Sequence, residues 1–180
     1  MARGSDTKAR AQAVARELFL QRGVRGTSLQ EIADRLGVTK PALYYHFASR
    51  EELVRSIVQP LIEDGDAFVA ELESRPPEGP RPLLEGYFDF HFKHREVVAL
   101  VVRELVALAE LGLVDRVLDW RLRLAALLVG DDPSLAEATR ATVALGGLAD
   151  CVLVFADEPV DALRTAAVDA AHAALAGRPG

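Results

Sequence analysis

Residues 27–53 read TSLQEIADRLGVTKPALYYHFASREEL, and their spacing decides how the chain folds. Thr27 and Ser28 each offer an N-cap hydroxyl, with Gln30 and Glu31 three residues later at the capping-box distance. Leu29, Ile32, Ala33 and Leu36 then form one apolar face, and Gly37 can take the positive φ of a tight turn. Thr39 caps the next helix, and Pro41 sits in its first turn, where the amide it lacks would have no intrahelical partner. Ala33 is small enough for that helix to cross close above it, and Leu43 plugs the crossing. An ordinary helical hairpin satisfies any one of these conditions. Alanine, glycine four residues on, leucine six further, and hydroxyl caps at both starts together specify a helix-turn-helix.

The same periodicity extends in both directions. A helix from about Thr7 to Gln21 precedes the motif, with Ala11, Val14, Ala15, Leu18 and Phe19 on one face and Gly23 past its end. After it, Ser49 and Glu52 form a further capping box at the head of a long helix over 49–73, which Pro60 is expected to kink. The segment RPPEGPRP, 75–82, reads as a connection. Helical stretches are expected at 83–94, 96–111, 113–129, 133–155 and from Pro159 to Ala176, with Asp132 capping a helix that begins at Pro133 and DEPVD repeating that logic. No alternating run flanked by hairpin dipeptides suggests a strand. The expectation is an all-α chain of about nine helices: a three-helix head at 1–48, and a further helical domain at 49–180 joined through the 49–73 helix.

The net charge of −6 hides an asymmetry. Residues 1–58 hold 10 Lys and Arg against 6 Asp and Glu, whereas the remainder holds 11 against 21. A basic head suits a polyanion, and an acidic body suits solubility or a small ligand. The N-terminus lacks the apolar core of a secretory signal, and the most apolar run, 141–156, is short for a membrane span and contains Asp150. A cytoplasmic protein with no membrane partner is expected. Cys151, the single cysteine, reads as a small buried filler.

The stretch from Thr27 to Leu53 resembles the DNA-binding segment of TetR-family transcriptional repressors, including its Tyr-x-His-Phe ending and the Ser-basic-Glu-Glu-Leu that opens the next helix. The resemblance covers roughly residues 8 to 58. Ser28 stands where threonine is common and Arg50 where lysine is common. What it implies is a homodimer with a three-helix DNA-binding head, and a diverging C-terminal domain that binds a small effector and dimerises.

Residue chemistry points the same way. A recognition helix enters the major groove N-terminal end first, so Thr39, Lys40, Pro41 and Ala42 face base edges and Tyr44 lies one turn further along. Lys40 can donate to guanine, while the Pro41 ring and the Ala42 methyl can pack on thymine methyls. Leu43 and Phe47 form the buried face, which leaves Tyr44, Tyr45 and His46 to reach phosphates or bases. Partial burial against the first helix is the competing reading for both tyrosines. Ser28, Thr39 and Arg50 sit at helix starts that favour phosphate. Lys8, Arg10, Arg25 and Arg3 are further phosphate candidates.

Candidate effector-site residues are large or aromatic side chains of the central helices: Phe68, Tyr87, Phe88, Phe90 and Phe92, then Leu105, Leu108, Trp120, Leu124 and Phe155. His91 joins them as a polar group. Three residues from His94 and near Asp89 and Glu85, it also raises metal ligation, although polar surface or pocket roles are preferred and neither metal nor cofactor is expected. Asp150 is either a solvent-facing residue or a buried acid for a cationic ligand. The last two helices are rich in alanine, carry Gly146 and Gly147, and are apolar over too wide an arc for a monomer's surface, so a four-helix dimer interface is expected.

The reading is therefore a ligand-responsive repressor that binds a palindromic operator as a homodimer and is released by a small effector. Two alternatives remain: an activator or co-regulator answering to a protein partner, and a helical ligand carrier or enzyme. Against an enzyme, there is no phosphate loop, no His-Glu-x-x-His and no nucleophile with a placed base.

Overall fold

A computed structural model describes residues 2–104 and 113–176. Every regular element among the described residues is a helix: α1 (Ala2–Arg22), α2 (Leu29–Leu36), α3 (Lys40–His46), α4 (Arg50–Ser74), α5 (Pro80–Lys93), α6 (Arg95–Arg103), α7 (Leu113–Val129), α8 (Leu135–Val154) and α9 (Val160–Ala176). None of them is long and apolar enough to cross a membrane. The chain forms two compact units, Met1–Ile62 with Glu96–Val114, and Glu63–Arg95 with Asp115–Gly180, so the division falls within α4.

In the first unit, Ala11, Ala15 and Phe19 of α1, Ile32 and Ala33 of α2, and Leu43 with Phe47 are essentially inaccessible to solvent. At about 1.5–3 kcal/mol for each large apolar side chain removed from water, Leu43 and Phe47 are the main apolar anchors of the short α3. Leu53, Val54, Ile57, Val58 and Leu61 of α4, and Val97 and Leu100 of α6, complete that core. Of the two possible caps for α2, Ser28 is the one used. Its hydroxyl accepts from the Glu31 amide at 3.2 Å, and its own amide donates to the Glu31 carboxylate at 2.8 Å. Thr27 is buried and donates instead to the Gly23 carbonyl at 3.0 Å. Gly37 closes α2 at φ +69, with Val38 donating to the Ala33 carbonyl at 3.0 Å.

In the second unit α8 and α9 pack on each other and both pack on α5. Ala141, Ala144, Leu145 and Leu148 of α8, Leu163, Ala167 and Val168 of α9, and Leu83, Leu84 and Phe88 of α5 are buried there. Gly65 of α4 is a close approach: a Cβ there would run into the Trp120 ring of α7.

Several element ends differ from the spacing-based expectation. The α1 helix begins ahead of Thr7, with no proline or cap to stop it. The α4 helix runs on through Pro60; the Ser49 hydroxyl accepts from the Glu52 amide at 3.1 Å as expected, but the Glu52 carboxylate takes the Ala48 amide rather than that of Ser49. Only residues 75–79 of RPPEGPRP are a connection, because Pro80 and Pro82 fall in the first turn of α5, where no amide is needed. Neither Asp132 nor Pro133 starts α8. Ser134 does, because with Glu137 three residues later it forms a reciprocal capping box. Cys151 is half-exposed rather than a buried filler, since α8 turns its neighbour Val152 into the core instead.

Candidate nucleic-acid interface

The N-termini of α2 and α4 and the first turns of α3 meet around an open cleft of about 340 Å³, lined by Thr27, Ser28, Leu29, Gln30, Lys40, Tyr44, Ala48, Ser49, Arg50 and Glu51. Four of the sequence-derived candidates, Ser28, Lys40, Tyr44 and Arg50, are thereby brought together. Thr39, Pro41 and Ala42 project alongside them, exposed, with the Thr39 hydroxyl accepting from the Ala42 amide at 3.4 Å. Tyr44 is 43% exposed and lies with its ring 5.6 Å from Lys40 Nζ. Tyr45 is 87% exposed, so the partial burial considered for it does not occur. The reason is geometric: Leu43 and Phe47 take the inward positions, and the residue midway between them points out. His46 is half-buried, edge-on to Tyr45 at 5.3 Å.

Arg50 is engaged more deeply than its position suggests. Its Nη1 donates to the carbonyls of Arg25 at 3.3 Å and Thr27 at 3.4 Å, Nη2 lies 3.5 Å from Glu51, and Nε is buried without a partner. A guanidinium with several donors ties the start of α4 to the loop between α1 and α2, which a lysine would do less well. The Ser28 amide and hydroxyl hold the Glu31 carboxyl below its usual range, and Arg22 adds to this. Glu51 is likewise lowered, first by its own amide and the Ser49 hydroxyl, so the cleft holds one formal negative charge against Lys40 and Arg50. Exposed Lys8, Arg10 and Arg25 extend the basic surface, while the Arg3 side chain lies outside the described residues. Polar donors at two helix starts, two cations and an outward phenol form a surface able to grip a polyanion backbone and present side chains to base edges.

Glu104, just beyond α6, was not singled out in the sequence. Its carboxylate accepts from the Val24 amide at 3.2 Å, tying α6 to the loop behind α1. No local signal distinguishes it from other surface glutamates.

The effector-site candidates are distributed within the second unit. Phe88 and Leu124 are wholly buried, and Phe155 is 49% exposed at the end of α8. Asp150 faces solvent. Phe92 stacks on Phe88 at 6.0 Å and is covered by the Arg95 guanidinium at 4.5 Å. Phe90 forms the centre of an aromatic group, 5.7 Å from Phe68 and 6.1 Å from Trp120, whose indole donates to Asp66 at 2.9 Å. Leu105 and Leu108 lie outside the described residues. The His91 and His94 pair separates: His94 bonds Asp64 at 2.8 Å, whereas the His91 ring lies 4.4 Å from Tyr87. No group of three or more His, Cys, Asp or Glu among the described residues could hold a metal ion.

Residues 13–57 match the family described as bacterial regulatory proteins, tetR family. The transcriptional activator FasR of Mycolicibacterium smegmatis is 35% identical over 79 residues, 42% of this chain and 36% of that protein. The regulator TtgR of Pseudomonas putida is 35% identical over 88 residues, 47% of this chain and 42% of that one. The matches thus span about two fifths of the relatives' length. A solved transcriptional regulator from Aquifex aeolicus covers 91% of this chain and 96% of its own, with a TM-score of 0.72 at 25% identity. The helix-turn-helix head of the chain, residues 13–57, is thus similar to that of the tetR family of bacterial regulatory proteins.

Proposed function

We propose that the protein is a ligand-responsive transcriptional repressor, located in the cytoplasm, that binds a palindromic operator as a homodimer. The observation that carries this reading is the cleft where Ser28, Lys40, Tyr44, Ser49 and Arg50 converge beside the outward face of α3. Lys40, Pro41, Ala42 and Tyr44 read base edges, while Ser28, Thr39, Tyr45, His46 and Arg50 position the phosphates. Dimerisation through α8 and α9 is supported by the outward Val143, Gly147 and Val154 of α8 and by the alanines on the outer side of α9. Half-sites about 34–36 Å apart accept one spacing of two heads, so an effector that favours another arrangement releases DNA. The chain passes between the two units three times, within α4, at the start of α6, and within α7, and α6 leads to the Glu104 contact with Val24.

The test is a random-oligonucleotide selection followed by affinity measurements across salt. A palindromic site bound more weakly as salt rises is expected, and no salt-dependent site at all ends this reading. FasR is an activator by name. A transcription assay on the selected site therefore reads the sign of regulation.

A further inference from the structure

The second unit holds a polar cluster that its own residues leave incomplete. Tyr87 and His91, one turn apart on α5, meet edge to face. Arg121 of α7 approaches both. Burial pushes the Tyr87 hydroxyl up to about 12 against the pull of that guanidinium, and burial with the Arg121 charge brings His91 down to about 4, so both groups are neutral at pH 7. One terminal nitrogen of Arg121 occupies the space beside Gly146 of α8, 2.8 Å from where a Cβ would stand. Three helices thus converge on one guanidinium.

Two observations mark a receptor rather than packing. His91 Nδ1 is closed off from solvent and has no hydrogen-bond partner, which is rare for a buried polar atom. In addition, Arg81, Arg116, Arg123 and Arg164 of the same unit close onto carboxylates at 2.7, 3.0, 2.6 and 2.8 Å; Arg121, like Arg75, Arg95 and Arg140, forms no ion pair with any described residue, but among these four it is the one whose guanidinium stands beside Tyr87 and His91. Asp150, one turn beyond Gly146, faces solvent and acts on Tyr87 only as a minor charge. Beside His91, at 5.4 Å, begins the aromatic surface of Phe90, Phe68 and Trp120.

One cation, two neutral hydrogen-bonding groups and an aromatic wall define a ligand class. A cationic or neutral ligand would leave the guanidinium unmatched, and a phosphate dianion would bring more charge than one guanidinium balances. A carboxylate takes two parallel N–H bonds from it. We propose that the second unit binds an amphipathic monocarboxylate, its carboxylate held by Arg121, Tyr87 and His91 and its apolar part lying along Phe68, Phe90 and Trp120. This rests on the reading of the chain as a ligand-responsive regulator, and names the effector's chemistry.

Trp120 is the only tryptophan and reports on the site. The full chain is titrated at pH 7 with octanoate, decanoate and 4-phenylbutyrate, and with the alcohol matching each, following Trp120 fluorescence and thermal unfolding. At least one carboxylate is expected to bind tenfold or more tightly than its alcohol. Arg121→Gln is expected to remove about tenfold or more of that affinity and to leave the alcohol unchanged, with Arg121→Lys recovering part. Tyr87→Phe deletes only a hydroxyl and gives an independent loss of about threefold or more, should Arg121→Gln fail to fold. The proposal is overturned if no carboxylate outbinds its alcohol, or if the folded variants keep the full preference. Operator binding on the same preparations separates the two readings. DNA binding without carboxylate preference removes only this site, and carboxylate binding by a chain that ignores DNA removes only the regulator.

Discussion

Lys40 and Tyr44 stand one turn apart, and their cation–π contact, about 0.5–1 kcal/mol at an exposed site, is weak enough to be exchanged for DNA. Replacing either with alanine is expected to weaken binding to the selected operator by about 1–3 kcal/mol in a fluorescence-anisotropy titration. The double variant should lose less than the sum, because the two side chains touch. Unchanged affinity in both single variants removes α3 as the reading helix. His91 supplies a pH prediction. Its folded pKa lies below the ordinary 6.5, near 4, so the unfolded chain takes up the proton first. Stability is therefore complete above pH 6.5 and falls as pH drops towards 4, by an amount on the order of 2 kcal/mol. Asp64, held low first by Lys93 and then by His94, loses its own contribution at still lower pH. The His91 effect is accordingly read as the difference between wild type and His91→Gln in urea melts from pH 7 to 4.5, and parallel curves would refute it. At this scale the sequence was informative about exposure on α3 and silent about the partners of Arg50, Arg121 and Glu104. A long polar side chain carries no local mark of the partner it will meet.

The elements were legible where their ends are chemical. Ser28 with Glu31, Thr39 and Gly37 terminate α2 and α3 through groups a few residues apart, so spacing alone locates them. The start of α8 was misread because Asp132 with Pro133 and Ser134 with Glu137 are both valid local solutions, and the reciprocal pair satisfies one more amide. Two glycines separate local from tertiary demand. Nothing lies within 4 Å of a Cβ built on Gly37, so Gly37→Ala is expected to cost about 1–2 kcal/mol from its left-handed backbone alone. Gly65→Ala drives a methyl into the Trp120 ring and should cost about 1–3 kcal/mol. Denaturant midpoints measure both losses, and only Gly65→Ala should shift the Trp120 emission. An unshifted spectrum there would mean that Trp120 does not rest on α4.

At the scale of the whole molecule, the outward apolar residues of α8 are where the proposed dimer would close. Val143 is 58% exposed and Val154 is 71% exposed, which is uncommon for two valines facing the same way on an alanine-rich helix. Val143→Asp is expected to give a folded monomer by sedimentation, with operator affinity reduced at least a hundredfold because one head meets one half-site. A variant that remains dimeric shows that another surface holds the protomers. The sequence by itself determined the all-helical class, the helix-turn-helix and the outward face of α3, because each follows from periodicity and caps within a few residues. Only the tertiary structure decided that Arg50 clasps the loop before α2, that Glu104 bonds Val24, and that Arg121 turns inward while Arg123, two residues on, closes on Glu73. Those choices join residues 23 to 80 positions apart or belong to helices packed far along the chain, and the partner, rather than the residue, defines them.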